Sequence, residues 1–134
     1  MALRVPNGVV CLISALAFDE LTTQIPHVVA LALPRDVRSP RFEHPSIRVF
    51  RFAGPAMRAG VETHAVDGVR VRVFAAEKTL TDCFKYRNKI GLDTAIEALR
   101  LCRQRRRLNV EELMKFAAIS RVQNVMRPYL EAVL

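Results

Sequence analysis

Glu62 and His64 stand two residues apart in VETHAV, a spacing that puts both on one face of a β-strand. A carboxylate and an imidazole so placed can serve as acid and base, or hold a polar ligand between them. No nucleophile, Gly-rich phosphate loop or metal-ligand spacing accompanies them, so no catalytic residue, metal or cofactor is assigned. A nuclease of the Asp…Glu-x-Lys kind needs its second carboxylate and lysine on a strand. Here Glu77-Lys78 lacks the spacer and opens a helix.

A second candidate lies in LTDCFKYRNKIG, residues 80–91. At 100° per residue from Leu80, Cys83 falls at about 300°, Phe84 at about 40° and Ile90 at about 280°, which defines an apolar stripe. Lys85 and Lys89 fall on the opposite, solvated side together with Asp82, which is spaced to pair with Lys85. Arg87 falls inside the stripe. A guanidinium facing the core must snorkel out or find a carboxylate. Two carboxylates point inward by similar reasoning: Glu20 on the opening helix and Glu62 on the hairpin, with His64 beside Glu62. The expectation is an inward cluster of Glu20, Glu62, His64 and Arg87. It either forms a polar pocket or is an internal ion pair fixing the helix on the sheet.

The charge is uneven. Of the net +8, residues 68–134 carry fourteen Lys/Arg against seven Asp/Glu, hence +7, and residues 1–67 carry seven against six, hence +1. A basic half favours nucleic acid or an acidic partner surface. Arg103, Arg105, Arg106 and Arg107 form its densest cluster, and with Lys85 and Lys89 they are the candidate contacts. Arg106 would fall on the apolar face of its helix, so that helix should end near Gln104. The run then reads as a solvated helix terminus or a phosphate-binding surface.

The elements that position these residues are legible in outline. The chain of 134 residues fits one domain, and its 51% hydrophobic content suits an ordinary core. Helix plus sheet should occupy about residues 8–75 and a helical part about 76–134. Asn7 is placed to cap a helix over 9–21, and Pro26 ends any continuation. Residues 27–33 (HVVALAL) read as an interior strand and 47–52 (IRVFRF) as another, broken by Gly54-Pro55. Residues 35–45 are a polar loop. In 61–74, Asp67-Gly68 supplies a two-residue type I′ turn that pairs Val66 with Val69 and Glu62 with Val73. The face carrying Val66, Val69, Val71 and Val73 is then the core face. Helices follow over 76–90 with Gly91 beyond, after Asp93, from a capping box at Asn109–Glu112, and over 122–134 with Pro128 inside. The fold class is α+β: a four-stranded, mainly antiparallel sheet packed by an N-terminal helix and a C-terminal cluster of about four helices.

Cys11, Cys83 and Cys102 are far apart in apolar segments and suit buried reduced thiols of a cytoplasmic protein, not zinc ligands. The apolar run over 9–18 is too short to span a bilayer and lacks a signal-peptide cleavage arrangement, so no membrane association is expected.

Three stretches, VPNGVVCLISALAFDELTTQIPHVVALALP, GVETHAVDGVRVRVFAAEKTLTDCFKYRNKIGLDTAIEALR and RVQNVMRPYLEAVL, resemble the AbiEi-type antitoxins of bacterial type IV toxin–antitoxin (abortive infection) systems. KTLTDCFKYRNKIGLD is the most specific block. The resemblance implies a regulatory antitoxin, not an enzyme, that counters an AbiEii-type nucleotidyltransferase toxin. Such antitoxins carry an N-terminal winged helix that represses their operon, and this chain begins where their C-terminal domain begins. The antitoxin role is therefore implied and sequence-specific operator binding is not. Two other readings stand beside it: a nuclease-like or hydrolase domain using Glu62 and His64, and general RNA or DNA binding by the basic half.

Overall fold

The computed structural model describes residues 8–35, 46–105 and 108–134. The Asn7 cap, most of the polar loop, Arg106 and Arg107 lie outside the described residues.

Val9–Val10 is a strand, β1, where a helix start was expected. Two β-branched residues leave no periodicity to read, but they complete a ladder. Val9 and Val10 pair antiparallel with Ala32 and Leu31, and Val10 pairs parallel with Val73. Leu12, at φ +49°, turns the chain from β1 into helix α1 (Leu12–Phe18). Strands β2 (Val29–Pro34) and β3 (Ile47–Phe52) follow and run parallel to each other. A parallel neighbour needs a crossover of about a dozen residues, and the chain between Pro34 and Ile47 has that length.

Beyond the short helix α2 (Gly54–Arg58), strands β4 (Val61–Val66) and β5 (Val69–Phe74) form the expected hairpin. Its register is the one the turn dictates: Val66 opposite Val69, His64 opposite Val71, Glu62 opposite Val73. Asp67 and Gly68 both have positive φ, at 52° and 78°, as a type I′ turn requires. The sheet has five strands in the order β3-β2-β1-β5-β4 and is mixed. This corrects the four-stranded, mainly antiparallel expectation, while the α+β class holds.

The two sheet faces have separate cores. Val9, Ala30, Ala32, Phe50, Phe52 and Phe74 join the main cluster with the helices, whereas Leu31 and Leu33 form a smaller cluster with Val10, Val29, Ile47 and Val49. The valine side of the hairpin was expected to be the core face. Instead Phe74, on the arginine side, lies fully buried in the main core, and Val66 at the hairpin tip is 40% exposed. The hairpin outruns its neighbours. Only its base is covered, and there both faces are buried.

Helix α3 (Ala76–Lys85) is the centre of the molecule: every residue from Lys78 to Phe84 is buried. It packs against α1 on one side and, on others, against α5 (Leu92–Arg105), α6 (Val110–Ser120) and α7 (Gln123–Val133). A four-residue helix, α4 (Arg87–Ile90), links α3 to α5 and ends at Gly91, φ +95°. The capping box at α6 is half realised. Asn109 Oδ1 accepts from the Glu112 amide at 3.0 Å, but the Asn109 amide donates to Glu77 of α3, not to the Glu112 side chain. The cap thereby ties two helices together.

Over the sheet, Phe74, Phe52 and Tyr86 stack in a row, with centroids 5.5 and 5.4 Å apart. Ala30 and Ala32 on β2 are small enough to leave this space to aromatic rings. Gly60, at φ +74°, lets the turn before β4 press on α3: a Cβ there would lie 2.7 Å from Lys78 Cβ and 3.2 Å from Phe116 Cζ. We predict that Gly60→Ala costs at least about 2 kcal/mol, from overpacking and left-handed strain together, read as a lower urea midpoint at unchanged slope.

Candidate functional site

The expected inward cluster does not assemble. Glu20 sits past the end of α1 at φ +58° with its side chain exposed, and its carbonyl accepts from Arg105 at 2.9 Å. The helix stops at Phe18, so the angle extrapolated for Glu20 has no helix to apply to. Glu62 and His64 do meet, at 3.1 Å, with side chains 53% and 37% exposed. The imidazole also rests against the Phe18 ring, 4.8 Å between centroids. They share a strand face as their spacing requires, but that face is open to solvent along β4.

Arg87 is half-buried and donates to the Phe84 carbonyl at 2.8 Å. Among the described residues no carboxylate pairs with it. It caps the C-terminus of α3, where a cation meets the exposed carbonyls and the negative end of the helix dipole. The continuous wheel fails at Tyr86, which leaves the helix (φ −100°, ψ 25°) so that its ring can stack on Phe52 and its hydroxyl can donate to the Arg51 carbonyl at 3.2 Å.

The buried charge lies one turn further back. Lys78 Nζ donates to Asp82 Oδ2 at 2.6 Å, with the two side chains 0% and 2% exposed. The ammonium also faces the Phe74 ring at 4.0 Å and the Phe52 ring at 5.0 Å, so its remaining charge lies against π-electron density. Neighbouring hydroxyls are satisfied: Thr79 donates to the Phe74 carbonyl at 3.2 Å and Thr81 to the Glu77 carbonyl at 3.2 Å. The wheel had placed Asp82 toward solvent, pairing with Lys85. It is buried because α6 covers the side of α3 that an isolated helix would leave wet. The readable signal was the Lys78-to-Asp82 spacing of four residues.

Burial pushes the Asp82 carboxyl up to about 6 against the pull of Lys78, and burial likewise lowers Lys78 below its usual value. Both partners move toward neutrality, as expected where desolvation exceeds mutual attraction. Cys11 and Cys83 are held well above the ordinary thiol value, first by burial and then by Asp82. All three cysteines are buried. Raised and out of contact with water, the Cys11 and Cys83 thiols are poor nucleophiles.

Four of the six cations named as candidate contacts fall among the described residues. Lys85, Lys89, Arg103 and Arg105 are exposed, and Arg103 joins Arg100, Gln104 and Tyr129 around a hollow of about 480 Å³ between α5 and α7. Helix α5 is described as far as Arg105, and the residues that would test its expected end, Arg106 and Arg107, lie outside the described residues. Among the described residues no helix is long and apolar enough to cross a membrane. No protein-family model matches the chain, and no curated protein matches it.

Two outcomes follow from the buried pair. Lys78→Met strands a carboxylate in the core and should cost about 3–5 kcal/mol, whereas Lys78→Met combined with Asp82→Leu should recover most of that in urea denaturation. The pH dependence runs opposite to that of an ordinary salt-bridged aspartate. With the folded value of Asp82 near 6, above its unfolded value of 3.8, the folded state binds the extra proton between them. Stability from this group is therefore full below about pH 4 and is lost as pH rises through about 6. Relative to Asp82→Asn, the wild type should gain stability on going from pH 7 to pH 4.

Proposed function

We propose that the chain is a non-catalytic antitoxin or regulator domain of the AbiEi type, acting in the cytoplasm to counter an AbiEii-type nucleotidyltransferase toxin through its basic helical half. The resemblance of KTLTDCFKYRNKIGLD and its flanking stretches supports the family. In this fold that block supplies most of α3, α4 and the start of α5, so it carries the buried pair and Tyr86 of the aromatic row. A resemblance concentrated there speaks for a shared core.

One observation carries the mode of action: Arg100, Arg103 and Arg105 stand exposed along one helix, two of them at the rim of the hollow beside Tyr129. Such a surface attracts an acidic protein face and speeds encounter with it. The Glu62–His64 pair supports a hydrolase less well. It lies on an open strand face half in water, where mutual attraction is screened, and not in a cleft that would orient a substrate.

A second reading is direct binding of RNA or DNA, because guanidinium groups next to a tyrosine can take phosphate and a stacked base. It predicts an affinity that falls steeply with salt and varies little with sequence.

Co-expression with a cognate AbiEii-type nucleotidyltransferase toxin tests the proposal. The wild type should relieve growth arrest, the triple variant Arg100→Glu/Arg103→Glu/Arg105→Glu should lose that relief while still folded, and Glu62→Gln should keep it. Undiminished relief by the triple variant would remove the basic half from the mechanism. A divalent-metal-dependent cleavage abolished by Glu62→Gln would favour the hydrolase instead.

A further inference from the structure

A second hollow, of about 280 Å³, opens elsewhere in the molecule, between the segment 24–28, strand β3 and helix α4. Its floor is apolar: Leu12, Ala30 and Phe50 are at most 8% exposed. Its rim is cationic, with Arg48 on β3 and Lys89 on α4, and His27 beside them. The Arg48 guanidinium stands 4.8 Å from the centroid of Phe50, and Lys89 Nζ stands 5.9 Å from the same ring. Two cations from different elements thus approach one aromatic ring and line the same hollow.

Among the described residues neither has a carboxylate partner and no Asp or Glu lines the hollow. Two like charges facing one ring repel each other, and an anion between them relieves this. The planar guanidinium adds a bidentate match to carboxylate or phosphate oxygens.

Two further features mark the place. Ile25, on the rim, is 83% exposed, more than any other large hydrophobic among the described residues, and Val28 beside it is 38% exposed. Exposed aliphatic side chains around an apolar floor are what an apolar ligand body would cover. The segment is also anchored before any ligand arrives. Gln24 Nε2 donates to Thr94 Oγ1 of α5 at 2.9 Å, and Ser14 Oγ of α1 accepts the Ala30 amide at 2.9 Å and donates to the Val28 carbonyl at 3.5 Å. A preformed site costs less ordering on binding.

We infer that this hollow is a binding site for a small organic anion: a flat apolar body lies on the Leu12, Ala30 and Phe50 floor under Ile25, and its carboxylate or phosphate head sits between Arg48 and Lys89. This goes beyond the antitoxin reading and does not depend on it, since the residues are not those of the α5–α7 surface.

Titration of the folded chain with 2-naphthoate and 2-naphthyl phosphate, followed by amide chemical shifts, tests it, with 2-naphthamide as the uncharged counterpart. Saturable shifts are expected at residues 24, 25, 27, 28, 48–50 and 89–90, with 2-naphthamide at least tenfold weaker than the better anion. The tighter of the two anions identifies the head group. Arg48→Gln/Lys89→Gln should weaken the anion at least tenfold and leave the amide unchanged, while Arg127→Gln on α7 should change neither. The inference is overturned if neither anion gives saturable shifts, if the amide binds as well as the anions, or if the double variant binds them undiminished. Both substituted side chains are exposed, so the melting temperature of the double variant should match the wild type. Were it to fall, the comparison of acid with amide on the unaltered chain decides alone.

Discussion

The ammonium of Lys78 has left water completely, and the rest of the core is arranged around what that requires. Asp82, one turn along the same helix, takes one N–H, and the faces of Phe74 and Phe52 take up the charge that remains. The two rings come from strands that are not neighbours in the sheet, and they meet over β2 and β1, where β2 carries alanines on this face. Tyr86 extends the stack by breaking out of the helix, and Arg87 then closes the helix end that the break exposes. Remove the buried charge and there is no reason for the aromatic row, the break or the cap to take this form. A pair of this kind contributes little net stability compared with hydrophobic residues of the same size. Both partners belong to α3 and stay together whichever way the helix turns, so what ties its rotation to the sheet is the contact of the ammonium with the Phe74 and Phe52 rings.

Because α3 keeps its own charges inside, the basic character of the C-terminal half appears on the helices around it. The arginines of α5 face outward beside α7, and α4, short and turned aside at Tyr86, brings Lys89 over Phe50 next to Arg48. Two cationic surfaces therefore arise from one packing problem: enclosing α3 needs helices on several sides, and their polar faces must go to water. The two differ in character. The α5–α7 surface is the broader and suits a macromolecule, while the hollow at Phe50 is smaller, floored by apolar side chains and held by hydrogen bonds from three elements.

The hairpin was legible to the residue, because Asp-Gly fixes a turn whose twist permits one register, and strand pairing then has no freedom left. The β3 strand and the start of α6 were nearly as clear, since a Gly-Pro break and a capping asparagine act locally. The candidate site was not legible. The reading of Arg87 assumed that one helix ran through Tyr86, and the reading of Asp82 assumed that a helix has a wet side. Both assumptions fail for a helix surrounded by others. β1 escaped notice because two valines carry no pattern until β2 and β5 come to lie on either side of them.

From the chain alone came what short-range chemistry controls: turns, caps, the alternation of faces along strands, the α+β class and the excess of positive charge in the second half. Folding in three dimensions decided which charge would be buried. A lysine and an aspartate four residues apart are an ordinary surface pair on an exposed helix and an obligatory internal one on an enclosed helix. The difference lies in α6, α1 and the sheet closing around them, contacts made by residues distant in sequence and set by packing, not by spacing.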